Sequence, residues 1–225
     1  GGVGCAVTDF DTDGDLDIYV AAYGDDLLYQ NNGDGTFTNV APEMGVDNEH
    51  HIVTGVWADV QHDGRPDLYT VGYVNGKPET PDYLYINTGD GFVNQLPPTI
   101  AKNDTDHGVQ WADYDQDGDL DLALAANDPA GSHYLYRNDL PAAVAARSIQ
   151  VLVLDDKGHY TRAGSEVRVY RAGTKELLGL RMVDTGSGYN AQNAKPVHVG
   201  LSSSVDIDVH VTVMTRGGRK TEVYS

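Results

Sequence analysis

A nine-residue acidic pattern occurs three times along this 225-residue chain, and it constrains the fold more than any other feature. It reads DFDTDGDLD from Asp9, DVQHDGRPD from Asp59 and DYDQDGDLD from Asp113, so successive copies start 50 and then 54 residues apart. A second signature follows each copy: LYQNNGDGTF at 28, LYINTGDGF at 84 and LYRN at 135. The lead-in also repeats, as GVWAD before the second copy and VQWAD before the third. A fixed period means an array of units that bury their apolar faces on one another. About fifty residues suits one propeller blade and is too long for ankyrin or leucine-rich repeats.

The texture inside a repeat is β. Ile18-Tyr19-Val20, Leu68-Tyr69-Thr70 and Leu122-Ala123-Leu124 are short runs bounded by Asp, Gly and Asn. Asn32-Gly33-Asp34-Gly35 and Gly89-Asp90-Gly91 carry hairpin-turn chemistry, because glycine accepts positive φ without a Cβ clash. No long stretch sustains a 3.6-residue period. After LYRNDL the acidic loops stop. PAAVAARS (141–148) reads as a linker, and the alternating stretches IQVLVL (149–154), EVRVYR (166–171), LLGLRMVD (177–184) and VDIDVHVTVMT (205–215) follow. The chain is therefore expected to be all-β. Residues 1–145 form a partial β-propeller of three blades (about 1–49, 50–103 and 104–145). Residues 146–225 form a small antiparallel β-sandwich or barrel.

The loops have the donor set of a calcium site. Calcium takes six to eight hard oxygens at about 2.3–2.6 Å, gathered by a tight turn. Positions 1, 3, 5 and 9 supply carboxylates, the glycine at position 6 (Gly14, Gly64, Gly118) allows the turn, and position 7 offers its backbone carbonyl. The predicted ligands are Asp9, Asp11, Asp13 and Asp17 with the carbonyl of Asp15, and Asp113, Asp115, Asp117 and Asp121 with the carbonyl of Asp119. The second loop offers Asp59, Gln61, Asp63 and Asp67 with the carbonyl of Arg65; its lower charge and the added guanidinium predict the weakest of up to three sites. An EF-hand is excluded, since position 12 is Val20, Thr70 or Leu124 rather than a bidentate Glu.

Charge supports the metal. The three loops hold 13 of the 34 acidic residues, and like charges at that density resist joint ionisation unless a cation sits among them. Three divalent ions would bring the formal charge from −19 to −13. The expected role is structural, because a metal that closes a loop contributes folding free energy. Extracellular calcium modules bind at about 10⁻⁴–10⁻³ M, which points to an extracellular, secreted, periplasmic or cell-surface location. The same negative charge argues against nucleic-acid binding. No apolar run is long enough to span a membrane as a helix. Cys5 is the single cysteine, so no internal disulfide is available, and Asn103-Asp104-Thr105 is one glycosylation triplet. The start at Gly1, without a signal peptide, reads as that of a mature or truncated product.

On these residues the stretch VTDFDTDGDLDIYVAAYGDDLLYQNNGDGTF resembles the FG-GAP/VCBS repeats of integrin-type β-propellers. RAGSEVRVYRAG (162–173), VDTGSGYNAQ (183–192) and HVGL (198–201) resemble the ASPIC/UnbV domain that follows such repeats in the secreted cartilage acidic protein family. The resemblance implies blades with structural calcium, serving adhesion through protein or glycan contacts. Three blades cannot close a ring, so further blades are expected from the same or another chain.

Three functions compete at this level: a calcium-stabilised binding or adhesion module, a structural subunit of an extracellular assembly or filament, and a propeller-type carbohydrate-active enzyme. No nucleophile–base motif or phosphate-cradling loop is present, which disfavours the enzyme. His50, His51 and His107 precede repeat strands and could gather at one end of the blades. Trp57 and Trp111 share one register and are expected to pack between blades. The irregular segments 73–82 and 102–108 are the expected contact loops.

Overall fold

The computed structural model describes residues 1–74, 80–101, 106–126, 133–160, 162–186 and 196–225. The triplet 103–105 and parts of the contact segments 73–82 and 102–108 and of the stretch 183–192 lie outside these residues.

Each repeat folds into its own antiparallel meander. The first has β1 (Gly2–Thr8), β2 (Asp17–Ala22), β3 (Leu27–Asn31) and β4 (Phe37–Asn39), paired in that order. A one-turn helix, α1 (Ala41–Met44), closes on Gly45 at φ 77°. The second repeat has β5 (Ile52–Ala58), β6 (Asp67–Gly72), β7 (Tyr83–Asn87) and β8 (Phe92–Asn94). Among the described residues the third has β9 (Asp106–Ala112), β10 (Asp121–Ala126) and β11 (His133–Tyr136). The acidic loops join the first strand of each blade to the second, and the glycine-rich turns join the third to the fourth. The blades stack face to face, so the middle strand of the second blade, β6, is buried on both faces, while β2 and β10 bury mainly the face turned toward it. Phe10, Tyr19, Leu28, Ile52, Leu68 and Phe92 fill the space between the first and second blades. Val56, Tyr69, Val71, Trp111, Leu122 and Leu124 fill that between the second and third.

The two tryptophans do pack between blades. Tyr19 meets Trp57 edge-on at 6.3 Å, and Tyr69 meets Trp111 the same way at 6.1 Å. Contact is close: a Cβ on Gly55 would come within 2.6 Å of the Tyr19 ring. Each of these tyrosines is held by an aspartate from its own blade. The Tyr19 hydroxyl donates to Asp26 at 2.6 Å and the Tyr69 hydroxyl to Asp82 at 2.9 Å.

The segment expected as a linker contains a second one-turn helix, α2 (Ala142–Ala145), and runs directly into β12 (Ser148–Val151). The tail then adds β13 (Glu166–Arg171), β14 (Leu177–Met182), β15 (Val197–Gly200), β16 (Ile207–Thr215) and β17 (Gly218–Tyr224). Two sheets, β12-β15 and β14-β13-β16-β17, enclose Val153, Val167, Val169, Val197 and Val199. This is the expected all-β architecture, a partial propeller and a β-sandwich. The strand IQVLVL is shorter than its alternation suggests, because β12 stops at Val151 and leaves Leu152 and Leu154 exposed.

Candidate metal centres

The three acidic loops share one backbone. Position 4 is left-handed without being glycine, at Thr12 (φ 63°), His62 (φ 53°) and Gln116 (φ 62°), and the position-6 glycines follow at φ 95°, 95° and 104°. A side chain other than glycine, Asn or Asp at positive φ is strained, and strain of this kind clusters at ligand clamps.

The position-9 aspartate brackets each loop in the same way. Asp17 accepts from the amides of Phe10 (3.1 Å) and Asn31 (2.8 Å), Asp67 from Val60 (3.0 Å) and Asn87 (2.8 Å), and Asp121 from Tyr114 (3.1 Å) and Asn138 (2.9 Å). Each bracket ties the loop to the end of its blade's third strand or to the residues just after it. The asparagines at that end add a link between blades. Asn87 donates its side-chain amide to the Phe10 carbonyl at 2.8 Å, and Asn138 donates to the Val60 carbonyl at 2.9 Å.

In the first loop, oxygens of Asp9, Asp11 and Asp17 lie within 4.8 Å of one another. In the third, Asp113, Asp115 and Asp117 do the same. Asp13 accepts from the Asp15 amide and Asp117 from the Asp119 amide, as in an Asx turn. Buried carboxylate oxygens without a partner remain in both loops: Asp9 Oδ1, Asp113 Oδ1 and Asp119 Oδ1. Asp9 and Asp119 are fully buried. Burial, reinforced by Asp11, pushes the Asp9 carboxyl up to about 6; burial pushes Asp17 up to about 7 and Asp119 up to about 6. Unpartnered buried oxygens on convergent aspartates are what a hard cation would satisfy, so these residues fit calcium. Asp119 was expected to give only its carbonyl. Its buried side chain, whose Oδ2 accepts from the Leu140 amide, is an addition the spacing did not reveal.

The second loop differs in chemistry though not in backbone. Asp59 accepts from the amides of Asp63 (3.1 Å) and Gly64 (2.9 Å). Asp63 accepts from the Arg65 amide at 2.9 Å and forms an ion pair with the Arg65 guanidinium, whose Nε donates to the Asn87 carbonyl at 3.2 Å. Gln61 is exposed. A second guanidinium, that of the half-buried Arg181 on β14, feels the charges of Asp59, Asp9 and Asp67; burial lowers its pKa and those carboxylates oppose the shift. At position 7 the Arg65 guanidinium stands where the other loops have the carboxylates of Asp15 and Asp119.

A family model described as FG-GAP-like repeat matches residues 9–70 and 73–124, about half the chain. The chain belongs to the FG-GAP-like repeat family. The relatives this chain matches include cartilage acidic protein 1 of Xenopus tropicalis, 24% identical over 90% of this chain and 40% of that protein. The human protein of the same name is 33% identical over 44% of this chain and 15% of its own length, and the Mus musculus one 24% identical over 84% and 38%. The FG-GAP-like chain thus spans at most about two fifths of these relatives. A solved structure, on recognition of non-reducing terminal N-acetylglucosamine by an Agrocybe aegerita lectin, covers 85% of this chain and 55% of its own at 18% identity. Its TM-score is 0.32.

The histidines expected at one end of the FG-GAP-like blades are there, each against a tyrosine. His51 stacks on Tyr23 at 4.7 Å, His107 lies on Tyr73 at 3.7 Å, and the Tyr83 hydroxyl meets His50 Nδ1 at 2.7 Å. Two other histidines lie where the blades meet the tail. His62 is fully buried with Nδ1 3.1 Å from the Val144 carbonyl, and His198 places Nε2 3.0 Å from the Gly118 carbonyl.

Proposed function

We propose that this chain is the calcium-loaded part of an extracellular binding module whose blades present surfaces to a protein or glycan partner. Support comes from membership of the FG-GAP-like repeat family and from the two acidic triads with buried, unpartnered carboxylate oxygens. The ions are structural: they neutralise Asp9, Asp11, Asp13 and Asp17 in the first loop, and Asp113, Asp115, Asp117 and Asp121 in the third, with the carbonyls of Asp15 and Asp119. The second loop, neutralised by Arg65, is the weakest site. No helix among the described residues is long and apolar enough to cross a membrane. The reading is of binding rather than catalysis, and the tyrosine-paired His50, His51 and His107 accord with it.

Calorimetric titration of the chelator-treated chain with calcium should give two strong sites and at most a third, weaker one. No binding up to several millimolar calcium would overturn the proposal. Screening the calcium-loaded chain against glycans and matrix proteins separates a binding module from an assembly subunit, which would instead show calcium-dependent oligomers by light scattering.

A further inference from the structure

The C-terminal β domain does not sit beside the propeller; it caps the acidic loops. At the first loop, Arg168 on β13 donates to the Gly14 carbonyl at 2.8 Å, and Leu177 on β14 lies over the same glycine. At the second, the Leu178 backbone faces Gly64, and Gly200 on β15 approaches so closely that a Cβ there would come within 2.4 Å of Asp59 Oδ2. At the third, Ser148 Oγ donates to the Gly118 carbonyl at 2.7 Å, His198 Nε2 lies 3.0 Å from that oxygen, and Gln150 donates to Asp113 at 2.7 Å.

The chemistry of one peptide turn links the two events. In the first and third loops the carbonyl offered to the metal belongs to position 7, and the carbonyl taken by the tail belongs to position 6, its neighbour. Both orientations depend on the same pair of positive-φ residues, Thr12 and Gly14 in the first loop, Gln116 and Gly118 in the third. A loop that opens loses both. Without an ion, the unpartnered oxygens of Asp9, Asp113 and Asp119 favour opening toward water.

We propose that ion binding in the first and third loops and seating of the C-terminal β domain form one coupled equilibrium, joined through the Gly14 and Gly118 carbonyls. This rests on the reading of the loops as calcium sites. Coupling between sites is reciprocal: if calcium tightens the seat, breaking the seat must weaken calcium by the same factor.

Calcium titrations of the full chain carrying Arg168→Ala, and separately Ser148→Ala with His198→Ala, test this in one direction. Arg168→Ala should weaken one of the two strong sites, and the double variant the other, each by about tenfold, within the usual range of coupling energies. His198→Gln, which keeps a donor, should retain more of the affinity than His198→Ala. Hydrogen exchange of the wild type tests the other direction without any variant. Amides of β13, β14 and β15 should lose protection in EDTA while those of β5 and β6, between the blade cores, keep it. Unchanged calcium affinity in the variants, or tail protection indifferent to EDTA, would overturn the coupling and leave the calcium reading standing. Failure of the wild type to bind calcium would overturn both.

Discussion

At the residue scale the decisive quantity is how many carboxylate oxygens each loop leaves without a partner. The first and third loops leave some and the second leaves none among its described aspartates, because Arg65 and backbone amides occupy them. A site held at a hundredfold excess of calcium over its dissociation constant adds about 2.7 kcal/mol to stability. In saturating calcium, Asp13→Ala or Asp117→Ala should therefore lower the melting temperature by roughly 5–10 °C, while Asp63→Ala should lower it less and keep the response to EDTA. Equal losses at all three would contradict the ranking. The buried acids also set a pH dependence. Burial pushes Asp17 and Asp67 up to about 7, and pushes Asp26 up to about 6 against the donors Tyr19, Ala22 and Asn48. A carboxyl whose pKa is higher in the fold favours the fold while protonated; that contribution is complete below roughly pH 4 and is lost as pH climbs through 6 to 7. In EDTA the protein should melt at a higher temperature at pH 5 than at pH 7.5. Calcium, which displaces the proton of its ligand Asp17, should flatten or reverse the slope. Scanning calorimetry at both pH values reads the sign directly, and an EDTA profile that rises with pH would refute it.

At the element scale the blades are joined by a repeated staple, the asparagine that ends LYxN. Asn87 and Asn138 reach the preceding blade's loop, whereas Asn31 donates at 3.3 Å to Leu16 within its own blade. Removing a buried donor leaves a carbonyl unsatisfied at a cost of about 1–3 kcal/mol. Asn87→Ala and Asn138→Ala should each lose that much in urea unfolding and Asn31→Ala clearly less; an equal loss at Asn31 would place the energy in the hairpin rather than between blades. The tyrosine–aspartate pairs follow the same logic. Tyr19 with Asp26 and Tyr69 with Asp82 recur, and in the third repeat both members change together, to Ala123 and His133. The tyrosine of one blade meets the tryptophan of the next, and the third blade is followed in sequence by the sandwich.

At the scale of the whole molecule, the repeats, the β class and the loops were legible because they depend on local pattern: a fixed period, glycine at turns, aspartate at alternate positions. What escaped depends on contacts across many residues. Arg168 and Gly14 are 154 positions apart and His198 and Gly118 are 80, and no periodicity announces such a pairing. The tyrosine–aspartate pair was within reach, since aligning the repeats puts Asp26 opposite Asp82, but its purpose is visible only once the Tyr19 and Tyr69 side chains are seen to be fully buried. The short helix α2 was hidden because four residues carry too little pattern to distinguish a turn of helix from a linker. The seat of the sandwich has a last consequence, for direction. The tail contacts the blades at their acidic loops, whereas Tyr23 and His51, both exposed, stack on each other at the opposite end. On the proposed reading, a partner received at that aromatic end would leave the acidic loops untouched.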